Sequence, residues 1–174
     1  PEENIRRAGE DIAVGADILK PGIKLRPQDI ALAASAGLPE LPVYRRVRVG
    51  VFFTGDELVQ PGEPLPPGAI YNSNRCALRA LLEGVGCEVR DLGIVADSLE
   101  ATRAALREAA ADSDVIITSG GVSVGEEDHV KAAVQAEGAL DMWKIAIKPG
   151  KPLAFGKVSP RDTAFIGLPG NPVS

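Results

Sequence analysis

The stretch DVIITSGGVSVGEEDHV, residues 114–130, decides the reading of the fold. It opens on an apolar, β-branched run that reads as a buried strand. The run stops at Ser119, Gly120 and Gly121. No large side chain follows until three consecutive carboxylates, Glu126, Glu127 and Asp128, and His129 to Glu137 then form a helix. Two explanations fit a nearly side-chain-free loop followed by acids. In one, the loop is a turn, Asp128 caps the helix and the other acids are solvated first-turn residues. In the other, the glycines leave backbone N–H groups open to a phosphate or similar anion, and a nearby carboxylate holds a metal. The loop is neither a P-loop nor a dinucleotide fingerprint, because GK[ST] and G-x-G-x-x-G are both absent.

Outward from this stretch the pattern is regular. VRVGVFF (47–53) and CEVRDLGIV (87–95) read as further strands, the first nearly uncharged, as expected of a strand covered on both faces. A helix is expected over Arg75–Leu82, with Ala77, Leu78, Leu81 and Leu82 on one side. Asp97 opens another, with Leu99, Thr102, Leu106 and Ala109 at helical spacing. PGEPLPPGAIYNSN, with four prolines, reads as a long loop, and MWKIAIKPG, PLAFGKV and TAFIGLPG as three short β runs. Alternating strands and helices imply an α/β, three-layer fold: a mostly parallel sheet with helices on both faces, since parallel neighbours need crossovers. Residues 1–44 differ in texture and are expected to be a small N-terminal appendage or part of a neighbouring domain. There Pro27 suits a first helical position and Gly37 a C′ position. Residues 45–174 form the α/β domain, C-terminally truncated: Pro1 in place of Met and Ser174 just past a helix-start signal read as cut ends.

Composition narrows the function. The 174 residues are 45% hydrophobic, enough for a proper core, and the net charge is -5. An acidic chain without a basic run gains no counterion-release attraction for nucleic acid, and 4% aromatics leave few stacking platforms. No apolar stretch approaches the roughly 18 residues of a membrane span. Cys76 and Cys87 lack zinc-ligand spacing and are expected to be core residues of a cytoplasmic protein.

In an open parallel sheet, ligands sit outside the carboxyl ends of the strands. The first strand delivers Thr54, Gly55, Asp56 and Glu57 to that edge. The second delivers Asp97, and the third delivers Ser119, Gly120, Gly121, Ser123 and Asp128. Grouped carboxylates repel unless a cation or shared proton offsets their charge, and oxygen-only ligands point to Mg²⁺. The plainer alternative for Asp97 is an N-cap with Glu100 completing a capping box. Lys144, Lys148 and Lys151, punctuated by Pro149, Gly150 and Pro152, form either a strand edge protected by lysines or an anion pocket. In LPGNPVS (168–174), Asn171 suits an N-cap and Pro172 a first helical position, so a helix N-terminus is expected there. His129 reads as a helix-surface residue.

TGDEL (54–58), AIYNSN (69–74), LGIVAD (92–97), SGGVSVGEEDHVK (119–131), KIAIKPGKP (144–152) and LPGNPVS (168–174) occur in that order. Together with NIRRAGEDI (4–12), they closely resemble the molybdopterin molybdenumtransferase family, that of MoeA and the gephyrin E domain. The resemblance implies insertion of molybdate into adenylylated molybdopterin, hydrolysis of the adenylate and release of molybdenum cofactor and AMP, with Mg²⁺. It implies Glu57, Asp97, Asp128 and Asp11 as functional carboxylates, Asp97 and Asp128 as metal ligands, and a homodimer of longer chains. It further implies substrate contacts from Thr54, Gly55, the Ser119–Gly121 loop, Ser123, Lys144, Lys148, Lys151, Pro169, Gly170 and Pro172. Phe53 departs from the small polar residue common in the family, at a position expected to tune the pocket wall. Two other activities suit the same fold: adenylylation of molybdopterin from ATP, whose loop usually reads TGGTG, and a non-catalytic scaffold or oligomerisation module.

Overall fold

A computed structural model describes residues 5–121, 129–144 and 152–170. The chain divides into two compact units, Pro1–Arg45 and Arg46–Ser174. In the first, helix α1 (Pro27–Ser35) begins with Pro27 at its start, where a missing N–H costs nothing. The Asp29 carboxylate accepts from the Arg26 backbone N–H at 2.9 Å and from its guanidinium at 3.0 Å, closing the first turn. Gly37 follows the last turn at φ 83° and donates to the Ala34 carbonyl.

The second unit runs β1 (Arg48–Thr54), β2 (Leu58–Val59), β3 (Ile70–Tyr71), α2 (Ser73–Gly84), β4 (Glu88–Val95), α3 (Leu99–Asp112), β5 (Val115–Ser119), α4 (His129–Glu137), β6 (Gly138–Lys144), β7 (Pro152–Val158) and β8 (Thr163–Leu168). Six strands form one sheet in the order β4-β1-β5-β8-β7-β6. The first four are mutually parallel, and β7 and β6 close the sheet as antiparallel hairpin strands. Strand β1 is buried on both faces, and its alternation feeds two cores. Phe52 packs with Leu106, Val130, Val134 and Phe165 under α3 and α4. Phe53, on the opposite face, packs with Val49, Val51 and Ile117 against Leu78 and Leu82 of α2. Helices therefore cover both faces, giving the three-layer α/β architecture.

Phe53 is wholly buried in that second core, so it does not form a pocket wall. Cys76 is exposed on α2, not a core residue, while Cys87 is half-buried beside the second core. The proline-rich segment is not only a loop. It brings β2 and β3 together as a two-stranded parallel pair, with Ile70 N–H on the Glu57 carbonyl at 2.8 Å and Asn72 N–H on the Val59 carbonyl at 2.9 Å. Two-residue strands are too short for alternation to announce them.

Helices α3 and α4 are joined by Glu137, whose carboxylate accepts from Arg107 at 2.6 and 2.7 Å and from Arg103 at 2.7 Å. Those two guanidiniums, Arg107 foremost, hold the Glu137 carboxyl down at about 2.

Candidate functional site

Strand register fixes one edge of the sheet. Thr54 lies opposite Val95, Phe53 opposite Ser119, and Ser119 opposite Leu168. The parallel strands thus end level, and each chain segment that leaves them emerges on the same rim: Gly55-Asp56-Glu57, Ala96-Asp97, Gly120-Gly121 and Pro169-Gly170.

Contacts tie neighbouring segments together. The Asp97 backbone N–H donates to Asp56 Oδ1 at 3.3 Å. The Glu57 carboxylate folds back over Gly55, where a Cβ would stand 2.7 Å from Glu57 Oε2. Gly120 has φ 104°, and a Cβ there would overlap the Thr54 carbonyl, so only glycine lets this turn lie against β1. Thr54 is 3% exposed, and its hydroxyl, beneath Gly121, has no hydrogen-bond partner among the described residues. The Gly120 N–H donates to the Leu168 carbonyl at 3.1 Å, joining β5's turn to the end of β8.

Asp97 is not the cap of α3. Ser98 takes that role: its backbone is extended and its hydroxyl accepts from the Ala101 N–H at 3.3 Å. Because the helix starts one residue later than expected, Asp97 lies in the strand-to-helix turn, half-buried on the rim. A β-bulge in β4 sets its position. Val51 pairs with Asp91 but Phe53 pairs with Ile94, so β4 carries one extra residue. Gly93 takes φ 81° there, its N–H donates to Asp91 Oδ1 at 2.9 Å, and Asp91 Oδ2 accepts from Arg75 Nε at 2.6 Å. Without the extra residue, everything after Gly93 would be displaced by one position and turned to the other face.

One residue of a quoted motif was given no role by the sequence reading. Asn74, in the first turn of α2, donates from Nδ2 to Ser119 Oγ and to the Gly170 carbonyl, both at 2.8 Å. Ser119 Oγ in turn donates to the Pro169 carbonyl at 3.2 Å. Its signals were its place at the end of the AIYNSN motif and its position two residues past Asn72, the residue that caps α2.

The remaining expectations divide. Glu57, Asp97, Thr54, Gly55, Ser119, Gly120, Gly121, Pro169 and Gly170 share the rim. Lys144 ends β6 opposite Pro152. Its backbone stands two strands from β8, about 10 Å at ordinary strand spacing, and five strands from β4, about 24 Å. Asp11 belongs to the first unit, where it is exposed and pairs with Arg6 at 2.8 Å. Ser123, Asp128, Lys148, Lys151 and Pro172 lie outside the described residues, as do Glu126, Glu127 and Asn171.

Comparison with known proteins agrees with this fold. A probable molybdopterin binding domain matches residues 50–174, and a MoeA N-terminal region (domain I and II) matches residues 1–37. The molybdopterin molybdenumtransferase of Haemophilus influenzae is 50% identical over 174 residues, which is 100% of this chain and 43% of that protein. Molybdopterin molybdenumtransferase 2 of Mycobacterium tuberculosis is 42% identical over 180 residues and is covered to 44%. The chain therefore spans less than half the length of these curated relatives. The crystal structure of a molybdopterin biosynthesis MoeA protein from Pyrococcus horikoshii superposes with a TM-score of 0.82 at 34% identity, over 94% of this chain and 40% of that one. MoaB from Thermus thermophilus shares the fold, with a TM-score of 0.54 at 22% identity over 72% of this chain and 82% of that one. By these matches the chain belongs to the molybdopterin-binding domain family, in its MoeA group.

Proposed function

We propose that the protein carrying this chain inserts molybdate into adenylylated molybdopterin, with hydrolysis of the adenylate and release of molybdenum cofactor and AMP. The observation that carries the reading is the single rim on which four parallel strands end level, with three carboxylates, Asp56, Glu57 and Asp97, at one end and glycine turns beside them. In this reading water attacks the anhydride phosphorus, AMP and the pterin phosphate separate, and the proton goes to a carboxylate of the rim. Glu57, Asp97 and Asp128 are the catalytic acids, and Asp11, in the first unit, is a further functional carboxylate of the full-length protein. The turns Ser119–Gly121 and Pro169–Gly170 shape the cradle of the substrate anion, with the Gly121 and Gly170 N–H groups as its backbone donors, since Pro169 has no N–H and that of Gly120 is held by Leu168. Thr54, Gly55, Ser123 and Pro172 complete its cradle. Lys144, Lys148 and Lys151 meet negative charge farther along the sheet, which suits an elongated substrate with its pterin, pyrophosphate and nucleoside in line.

Mg²⁺ fits this donor set. Among the described residues no three His, Cys, Asp or Glu side chains are grouped to cage a metal. Mg²⁺ needs no such cage, because it commonly takes one or two carboxylates and completes its shell with substrate phosphate and water. Asp97 and Asp128 would hold it, and when bound it offsets charge developing on the phosphoryl oxygens. We also place the protein in the cytoplasm, where the free thiols of Cys76 and Cys87 would stay reduced, and expect a homodimer of the full-length chain.

The test is product analysis with the full-length protein. Adenylylated molybdopterin, molybdate and Mg²⁺ should yield AMP together with metal-loaded cofactor. Pyrophosphate release from ATP and metal-free molybdopterin, without molybdate-dependent AMP release, would overturn the reading in favour of adenylyl transfer. Binding without turnover of either kind would favour a scaffold.

A further inference from the structure

We infer that Asn74 is a positioning residue of the rim: its side-chain amide clamps the Ser119–Gly121 turn to the Pro169–Gly170 turn. Its ligand-facing consequence rests on the reading above, but the clamp itself stands on geometry. Nδ2 of Asn74 reaches two acceptors at once, Ser119 Oγ and the Gly170 carbonyl, both at 2.8 Å. A carbonyl oxygen only accepts, so the amide orientation is fixed: turned over, Oδ1 would face Gly170's oxygen with no proton between them. Both Nδ2 protons are then used. Ser119 Oγ, having accepted from Asn74, sends its own proton to the Pro169 carbonyl at 3.2 Å. The hydrogen bonds therefore run one way, from α2 into the turn after β5 and the turn after β8.

Two further contacts make the clamp matter. The Gly120 N–H is held by the Leu168 carbonyl at 3.1 Å, and a Cβ on Gly170 would lie 3.5 Å from Gly120 Cα. The two glycine-bearing turns pack backbone to backbone, bridged by the Ser119 hydroxyl at the Pro169 carbonyl. Asn74 adds a second tie from outside, anchored in the first turn of α2. Ser119 has a corresponding role. It is 3% exposed and its hydroxyl proton is committed to Pro169, so it acts on a ligand through the placement of its turn, not as a donor from Oγ.

Asn74→Asp tests this with almost no change of shape. It removes both donors and sets a carboxylate against the Gly170 carbonyl. The readout is amide hydrogen exchange in the full-length protein. We expect exchange at Gly120 to rise roughly tenfold or more, the factor that about one lost net hydrogen bond or more predicts, while the β1 amides of Val51 and Phe52 keep their protection. Adding Ser119→Ala to Asn74→Asp should then accelerate exchange little further, because one unit has already been opened. Unchanged exchange at Gly120 overturns the clamp, as does full additivity of the two substitutions. Should Asn74→Asp fail to fold, Asn74→Ser, which keeps one donor, replaces it with the same readout. AMP affinity, measured by calorimetry on the same variants, reports separately on function. Faster Gly120 exchange with unaltered AMP affinity supports the clamp and counts against placing the nucleotide at these turns. Weakened affinity with faster exchange supports both.

Discussion

The backbone N–H of Asp97 donates to the Asp56 carboxylate at 3.3 Å, so the ends of β4 and β1 are joined directly across the rim. Asp97 stands outside α3, and Ser98 caps the helix in its place. Structural and functional roles that compete in the sequence at Asp97 are thus divided between neighbours, and the division can be measured. Ser98→Ala should lower stability by about 1 kcal/mol, the usual worth of an N-cap, and leave AMP release nearly intact. Asp97→Ala should leave the melting temperature almost unchanged and abolish AMP release by the full-length protein. The opposite pattern, with Asp97→Ala unstable but active, would return Asp97 to a capping role.

How far the sequence reached depended on whether the controlling interaction was local. The buried runs 47–53 and 114–118 announced β1 and β5 because β-branched and aromatic residues cover both faces of those strands. Helix α3 was visible from its apolar period, but its first residue was not, since Asp97 and Ser98 are both good caps and only tertiary placement chooses between them. The bulge at Gly93 adds a single residue within an otherwise regular strand and leaves no periodic mark. Asn74's acceptors lie 45 and 96 residues away, beyond any local pattern. Lys144 shows the same limit: proximity along the chain to β7 and β8 does not say that two hairpins carry β6 to the far edge of the sheet.

Gly93→Ala should damage function more than stability. At φ 81° an alanine costs about 1–2 kcal/mol, and the strand can escape that cost by losing the bulge. Loss of the bulge shifts Asp97 by one residue. Gly86→Ala is the control: φ there is 90°, with open space around the added methyl. Both variants should lose similar stability, but only Gly93→Ala should lose AMP release. Equal activity in the two would show that the bulge does not position Asp97.

Thr54→Val separates packing from binding at the base of the glycine turn. The Thr54 hydroxyl is buried without a partner among the described residues, so removing it relieves an unpaired polar group. Melting temperature should stay level or rise. If the hydroxyl serves the substrate, affinity for adenylylated molybdopterin should fall by roughly tenfold, the worth of one hydrogen bond. A stabilised variant with unchanged affinity would remove Thr54 from the binding set.

The Glu137 cluster predicts a defined acid flank. Glu137 faces Arg103 and Arg107 of α3, and Arg103 also pairs with Glu100 at 3.0 Å. The folded-state carboxyl lies near 2, below its ordinary 4.5, so the native state binds this proton less readily than the unfolded chain. The stabilisation is therefore complete above about pH 4.5 and is lost as pH falls towards 2. Glu137→Gln removes the charge at every pH. It should melt a few degrees below the wild type at neutral pH, and the gap should close as the wild-type carboxylate is protonated. Glu100 and other acids titrate in both proteins, so the difference between the two melting curves isolates Glu137. A gap that stays constant down to pH 2 would mean that the contact between α3 and α4 draws its stability from shape and not from this charge.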